Sequence, residues 1–242
     1  MSEYRVIGVE GLPEIAEGDD LAPLIAGAVE LEDGDVVVVA QKAVSKAEGR
    51  VRALDGIEPS RYAREISGER DPRQTEVILG ETARIVRLRP PLLIAETRHG
   101  FVCASAGVDA SNAPETGTVV LLPVDPDSSA QRILARLAEL TGRTVSVLVT
   151  DSFGRAWREG TTDIAIGAAG LQVLRNLHGE RDPAGYELHA TTIAVADEIA
   201  GAAELVMGKL SRVPAAVVRG LDLAGSGKGK DLVMPPDRDL FR

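Results

Sequence analysis

"VSVLVTDSFGRAWREG", residues 145–160, begins as core and ends as charge. Five of residues 145–150 are apolar or β-branched, the pattern of a buried strand. Asp151, Ser152, Arg155, Arg158 and Glu159 follow, which predicts that the chain leaves the strand there and turns into a charged loop. A buried strand needs hydrogen-bonded neighbours and a covering layer, and the flanking sequence offers both. Upstream, "SSAQRILARLAELTG" (128–142) reads as a helix. Ser128 or Ser129 is placed to cap it, Ile133, Leu134, Leu137 and Leu140 form one stripe, and Gly142 ends it. Downstream, "TTDIAIGAAG" (161–170) is strand-like, "HATTIAVADEIAGAAELVMGKLS" (189–211) passes from strand to helix, and "PAAVVRGLDL" (214–223) is a late strand.

The first half alternates in the same way. "YRVIGVEG" (4–11) and "DGDVVVVA" (33–40) read as strands around the helix "DDLAPLIAGAVEL" (19–31), with Leu21, Leu24, Ile25 and Val29 on one face. "VSKAEGRVRAL" (44–54) fits either element. "SRYAREISGERDPRQTEVILGET" (60–82) is helical with a break near Asp71-Pro72. "RIVRLRPPLLIAETRHGFVCASAGV" (84–108) reads as a strand, a turn and two more strands, and "TGTVVLLPVD" (116–125) as another strand. Hairpin signals among strand–helix alternation predict an α+β fold with a mixed sheet rather than a purely parallel one.

Composition narrows the function. Apolar residues are 44% of 242, so a packed core is expected. Lys plus Arg is 27 against 37 Asp plus Glu, a net charge of −10. With aromatics at 3%, nucleic-acid binding is not expected. Cys103 is the sole cysteine, which excludes an internal disulfide, and its apolar surroundings predict a core thiol. No leader segment and no membrane-length apolar run are read, so a cytoplasmic protein without membrane contact is expected.

Four strand ends carry groups suited to a phosphorylated ligand and its metal: "GLPE" (11–14), "AQKAVSKAEG" (40–49) with Lys42 and Lys46, "GVDASN" (107–112) with Asp109, Ser111 and Asn112, and Asp151-Ser152. Rigid strands position such residues, and hard cations take carboxylate, hydroxyl and phosphate oxygens. A single Asp at a strand end is commonly a turn or helix cap. "GSGKGKD" (225–231) fails the phosphate-loop pattern in both registers, with Asp222 or Ala224 where the leading Gly belongs, and reads as a flexible basic turn. His99, His178 and His189 lack zinc spacing. His99 is a structural histidine or a substrate contact, and Trp157 is expected to anchor its loop. These residues suit a nucleotide and its metal, as a metal-dependent phosphohydrolase or a nucleotide-sensing module would need.

Several blocks, taken in order, resemble the coenzyme F420-0:γ-glutamyl ligases (F420 names a deazaflavin cofactor): "GVEGLPEIAEGDDL", "GDVVVVAQKAVSKAEGR", "ETRHGFVCASAGVDASN", "VLVTDSFGRAWREGTTDIAIG" and "ADEIAGAAELVMGKLSRVPAAVVRG". The resemblance covers about residues 5–222, and its "GVDASN" and "TDSFGRAWREG" blocks are specific. It implies a homodimeric, two-lobed ligase. Residues 1–85 and 190–242 would form a nucleotide-side lobe, and 86–189 a lobe around Asp109 and Asp151. It implies GTP-dependent addition of L-glutamate to the carboxylate of F420-0, then γ-glutamyl extension, with release of GDP and phosphate. Mg²⁺ or Mn²⁺, two ions, and K⁺ would assist. Asp109, Asp151 and Ser152 would hold the divalent metal, and Asp109, Asp151 and Lys46 would serve catalysis. Gly11, Leu12, Pro13, Glu14, Gln41, Lys46 and Asn112 would line the GTP site. The family pattern often has Ser in place of Gln41 and Thr in place of Ser152. Some relatives carry a further flavin-binding domain, and this chain is expected to hold the ligase part only.

Overall fold

A computed structural model describes residues 3–240. In chain order its elements are β1 (Arg5–Gly8), α1 (Leu21–Ala28), β2 (Val36–Ala40), α2 (Gln41–Ala47), β3 (Val51–Ala53), α3 (Arg61–Ile66), α4 (Pro72–Glu81), β4 (Thr82–Arg89), β5 (Leu92–Thr97) and β6 (Val102–Ala104). Then come β7 (Thr118–Val120), α5 (Pro126–Thr141), β8 (Ser146–Arg155), β9 (Arg158–Ala169), β10 (Arg175–Asn176), β11 (Thr192–Ile193), α6 (Val195–Met207) and β12 (Ala215–Arg219). The stretch 44–54, ambiguous by pattern, ends α2 and then forms β3.

The central sheet has the order β1-β12-β2-β8-β9. Only β2 and β8 run parallel; every other neighbouring pair is antiparallel. The fold is therefore α+β with a mixed sheet, as expected. Strand β2 from the first third of the chain bonds to β8 from the middle, so the sheet draws on distant segments.

Side-chain alternation sorts the core into two layers. Val37, Val39, Val147, Val149 and Val217 face α1 and α5, while Val36, Val38, Leu148, Ala216 and Val218 face α6. A strand covered on both faces tolerates apolar residues at every position, which is why 36–39 is an unbroken valine run. A third cluster, centred on Ile78, Leu93 and Val119, packs under the smaller sheets β4-β5-β6 and β3-β7. Among the described residues no helix is long and apolar enough to cross a membrane.

Several expectations are corrected. The strand that begins at Ser146 does not turn into a loop after Thr150; it continues to Arg155, paired with β9 throughout. The antiparallel partner pairs the backbone along one edge, so polar side chains ride on an extended ribbon. Trp157, expected to anchor a loop, sits at the ribbon's tip and is 81% exposed. Helix α5 is capped by Asp125, which accepts from the Ser128 amide at 3.0 Å, with Pro126 in the first turn, rather than by Ser128 or Ser129. Leu140, on the expected apolar stripe, is 43% exposed. Gly142 closes that helix at φ 67, as its sequence position suggested.

The 225–231 stretch is not flexible in the sense its glycines suggest. Gly227 donates to the Leu171 carbonyl at 2.9 Å, and Gly229 donates to Asp127 Oδ1 at 2.6 Å. A Cβ on Gly229 would lie 2.5 Å from the Ile166 carbonyl atoms. Glycine is required here because backbone meets backbone.

Candidate active site

Strand β2 ends at Ala40, opposite Thr150. Strand β8 continues beside β9 alone. From Asp151 onward one edge of β8 has no neighbouring strand, and a cavity of about 690 Å³ opens against it. The carboxyl ends of the two parallel strands converge there, a common place for ligands in sheets with parallel pairs. Thr150 and Ser152 project to one face of β8 and Asp151 to the other. All three line the cavity, as does Asp163 of β9, the register partner of Ser152.

Helix α2 starts directly from β2 and supplies the opposing wall. Lys42 and Lys46, one turn apart, both line the cavity. Lys42 Nζ donates to Asp109 Oδ2 at 2.7 Å and to Ser111 Oγ at 3.3 Å. Lys46 Nζ donates to Glu14 Oε1 at 2.5 Å. Gln41 is 2% exposed. Its Oε1 accepts from Ser45 Oγ at 3.0 Å, and its Nε2 has no partner.

Asp109 is fixed by backbone bonds in both directions with Val120 and by the Ser111 amide on Oδ1 at 2.7 Å. Burial favours its neutral form, but the bonds from Lys42 and Ser111 outweigh that and hold its carboxyl below the ordinary range. Asp151 goes the other way. Burial, opposed by Lys42 and reinforced by repulsion from Asp163 and Asp109, pushes it up to about 7. The residue keeps some exposure, to the cavity it lines. Three carboxyl groups therefore share one electrostatic neighbourhood around Lys42, and Asp109 and Asp151, separate in sequence, are brought together.

Leu12, Pro13, Glu14, Gln41, Lys46, Asn112, Asp151 and Ser152 all line the cavity. Gly11 and Asp109 do not, although Asp109 reaches it through Lys42. Arg155 and Arg158 lie exposed at the ribbon tip, away from the lining. His99 is also outside it. Its Nε2 lies 2.9 Å from the Pro123 carbonyl oxygen and its ring stacks on Phe101. Cys103 is buried, as expected, and burial with the nearby Asp151 charge pushes its thiol up to about 12. Reading by segments missed Asp163. The signal was a lone carboxylate inside the apolar run 163–169.

Among the described residues no cluster of three or more His, Cys, Asp or Glu forms a ready metal cage. The donor chemistry fits a hard cation nonetheless. Such an ion takes one or two protein carboxylates and completes its shell with phosphate oxygens and water. A carboxyl group raised by neighbouring carboxylates is relieved when a cation arrives.

The family model described as F420-0:Gamma-glutamyl ligase matches residues 11–220. The chain belongs to this ligase family. Relatives named coenzyme F420:L-glutamate ligase align over nearly the whole length of both chains. The one from Methanopyrus kandleri is 48% identical over 253 residues, covering 100% of each. Those from Methanothermobacter thermautotrophicus and Archaeoglobus fulgidus are 46% and 43% identical, covering 98% of this chain in each case and 98% and 96% of the relative. The family match begins just after β1 and runs through β12, so every cavity-lining segment lies inside it.

Proposed function

We propose that this chain joins the amino group of L-glutamate to the carboxylate of coenzyme F420-0, using GTP, and extends the product through γ-glutamyl links. The observation that carries the reading is one cavity lined by two lysines of α2 and by the carboxylates of β8 and β9. A carboxylate does not condense with an amine in water, because its oxygen is a poor leaving group. In the proposed reaction a precursor carboxylate oxygen attacks the γ-phosphorus of GTP. The bond to the β,γ-bridging oxygen breaks, giving an acyl phosphate and GDP. The glutamate nitrogen then attacks the acyl carbon, the carbon–oxygen bond to phosphate breaks, and the ammonium proton passes to solvent.

The chain's residues bind and orient. Lys42 and Lys46 would offset phosphate charge, each exchanging a carboxylate partner for a phosphate oxygen. Leu12, Pro13, Glu14, Gln41 and Asn112 would shape the nucleotide end. Asp109, Asp151 and Ser152 would hold Mg²⁺ or Mn²⁺, which supplies charge neutralisation and alignment when bound. Arg155 and Arg158 would meet the anionic precursor, and the working unit would be a homodimer, which sedimentation would test.

Incubation with GTP, Mg²⁺ or Mn²⁺, K⁺, F420-0 and L-glutamate, read by mass spectrometry, tests the reading. Glutamylated product with GDP is expected. GTP consumed without added glutamate would make the protein a phosphohydrolase, and bound but intact GTP would make it a binding module. Charge reversal at Arg158 is expected to raise the KM for F420-0 or glutamate more than that for GTP. Unchanged values for both would remove the ribbon tip from the substrate site.

A further inference from the structure

Asp163 collects two hydroxyl protons. Ser152 Oγ donates to its Oδ1 at 2.6 Å and Thr150 Oγ1 to its Oδ2 at 3.1 Å. Thr150 is 1% exposed and Asp163 is 6% exposed, so little water reaches the carboxylate, while Ser152 itself is open to the cavity. The register sets the arrangement: Ser152 faces Asp163 directly across the β8–β9 pair, and Thr150 is on the same face. A serine hydroxyl has one proton and two lone pairs. With its proton committed to Asp163, Ser152 has only lone pairs to offer the cavity it lines. It can give a lone pair to a cation or accept a hydrogen bond from a donor group; it cannot donate a hydrogen bond to a phosphate oxygen.

We propose that Asp163 is a positioning residue that sets the polarity of Ser152, holding its hydroxyl as a lone-pair donor toward the divalent cation. The proposal rests on the reading of Ser152 as a metal ligand. Partners of this kind behind a ligand are worth about 10–100-fold in metal affinity. Asp163→Asn keeps the shape of the side chain but replaces one acceptor oxygen with an amide donor. One of the two hydroxyls must then turn its proton away, so the two compete for the single remaining acceptor and the hold on Ser152 is weakened. Thr150→Val deletes the other donor and leaves the Ser152 bond in place, so its effect on metal binding should be small.

The test is a double-mutant cycle on Mn²⁺ binding in the presence of GTP, without F420-0 or glutamate, followed by electron paramagnetic resonance. Thermal melts run alongside. Asp163→Asn should weaken Mn²⁺ about 10–100-fold in the wild-type background and leave it unchanged in the Ser152→Ala background. An equal loss in both backgrounds would mean that Asp163 acts without Ser152 and would overturn the proposal. Loss in Ser152→Ala with no loss in Asp163→Asn would overturn it while leaving Ser152 as a ligand. Unchanged binding in Ser152→Ala would defeat the ligand reading, and the proposal with it. Should Asp163→Asn fail to fold, neutron diffraction on the unmodified protein decides: a deuteron on Ser152 Oγ aimed at Asp163 supports the proposal, and one aimed into the cavity overturns it.

Discussion

Asp151 carries the largest conflict between folding and chemistry at the site. Its carboxyl is pushed up to about 7 by burial, with Asp163 and Asp109 adding repulsion against the pull of Lys42. Between the ordinary carboxylate pKa and that raised value, the metal-free folded chain holds a proton that the unfolded chain has lost. Stability contributed by this group therefore falls as pH rises through the window. Asp151→Asn removes the charge but keeps the shape. Melts of the metal-free proteins should show the variant gaining on wild type as pH rises from the ordinary carboxylate range to about 7 and holding that gain above it, and a pH-independent gap would refute the assignment. The same substitution should lower GTP-dependent glutamate addition on the order of 100-fold or more, since partners one shell further out are already worth about 10–100-fold. The pairing of Lys42 with Asp109 was not legible from the chain, because it joins residues far apart in sequence. The types and their strand-end positions were.

At the scale of elements, one carboxylate ties three pieces together. Asp127, in the first turn of α5, accepts from the amides of Ala168 on β9 at 2.8 Å and Gly229 in the tail at 2.6 Å, with Lys230 at 3.4 Å. Asp127→Ala would strand buried donors, each costing about 1–3 kcal/mol. A lower denaturant midpoint and faster tryptic cleavage at Lys228 and Lys230 are expected; unchanged cleavage would mean that the tail is held by its glycine packing alone. Sequence composition made this tail look loose, since glycine and lysine favour turns. Its order comes from close backbone approach to Ile166 and Leu171, which leaves no trace in local pattern. The extension of β8 past Thr150 was hidden for a related reason. Polar residues in 151–155 argue against a buried strand, yet pairing with β9 on one edge keeps them extended while the other edge faces the cavity.

At the scale of the whole molecule, the sheet between two helical layers is the expected seat of stability. Leu148 is fully buried at 0% exposure between α6 and the sheet. Leu148→Ala should cost about 2–5 kcal/mol in chemical denaturation. Amides of β2 and β8 should exchange only on global unfolding, and those of α3 earlier; faster exchange in β2 than in α3 would place the stable core elsewhere. What the sequence determined by itself was whatever depends on near neighbours along the chain. The valine run of β2, the periodicity and glycine stop of α5, the α+β class, and the strand-end Lys and Asp residues all belong there, because a strand or helix writes its burial pattern into adjacent positions. What only the tertiary structure decided depends on register and strand order. Ending β2 at Ala40 beside a longer β8 opens the cavity, and the β8–β9 register sets Asp163 against Ser152. Neither is encoded locally, because hydrogen bonds between strands join residues whose separation along the chain is set by everything folded in between.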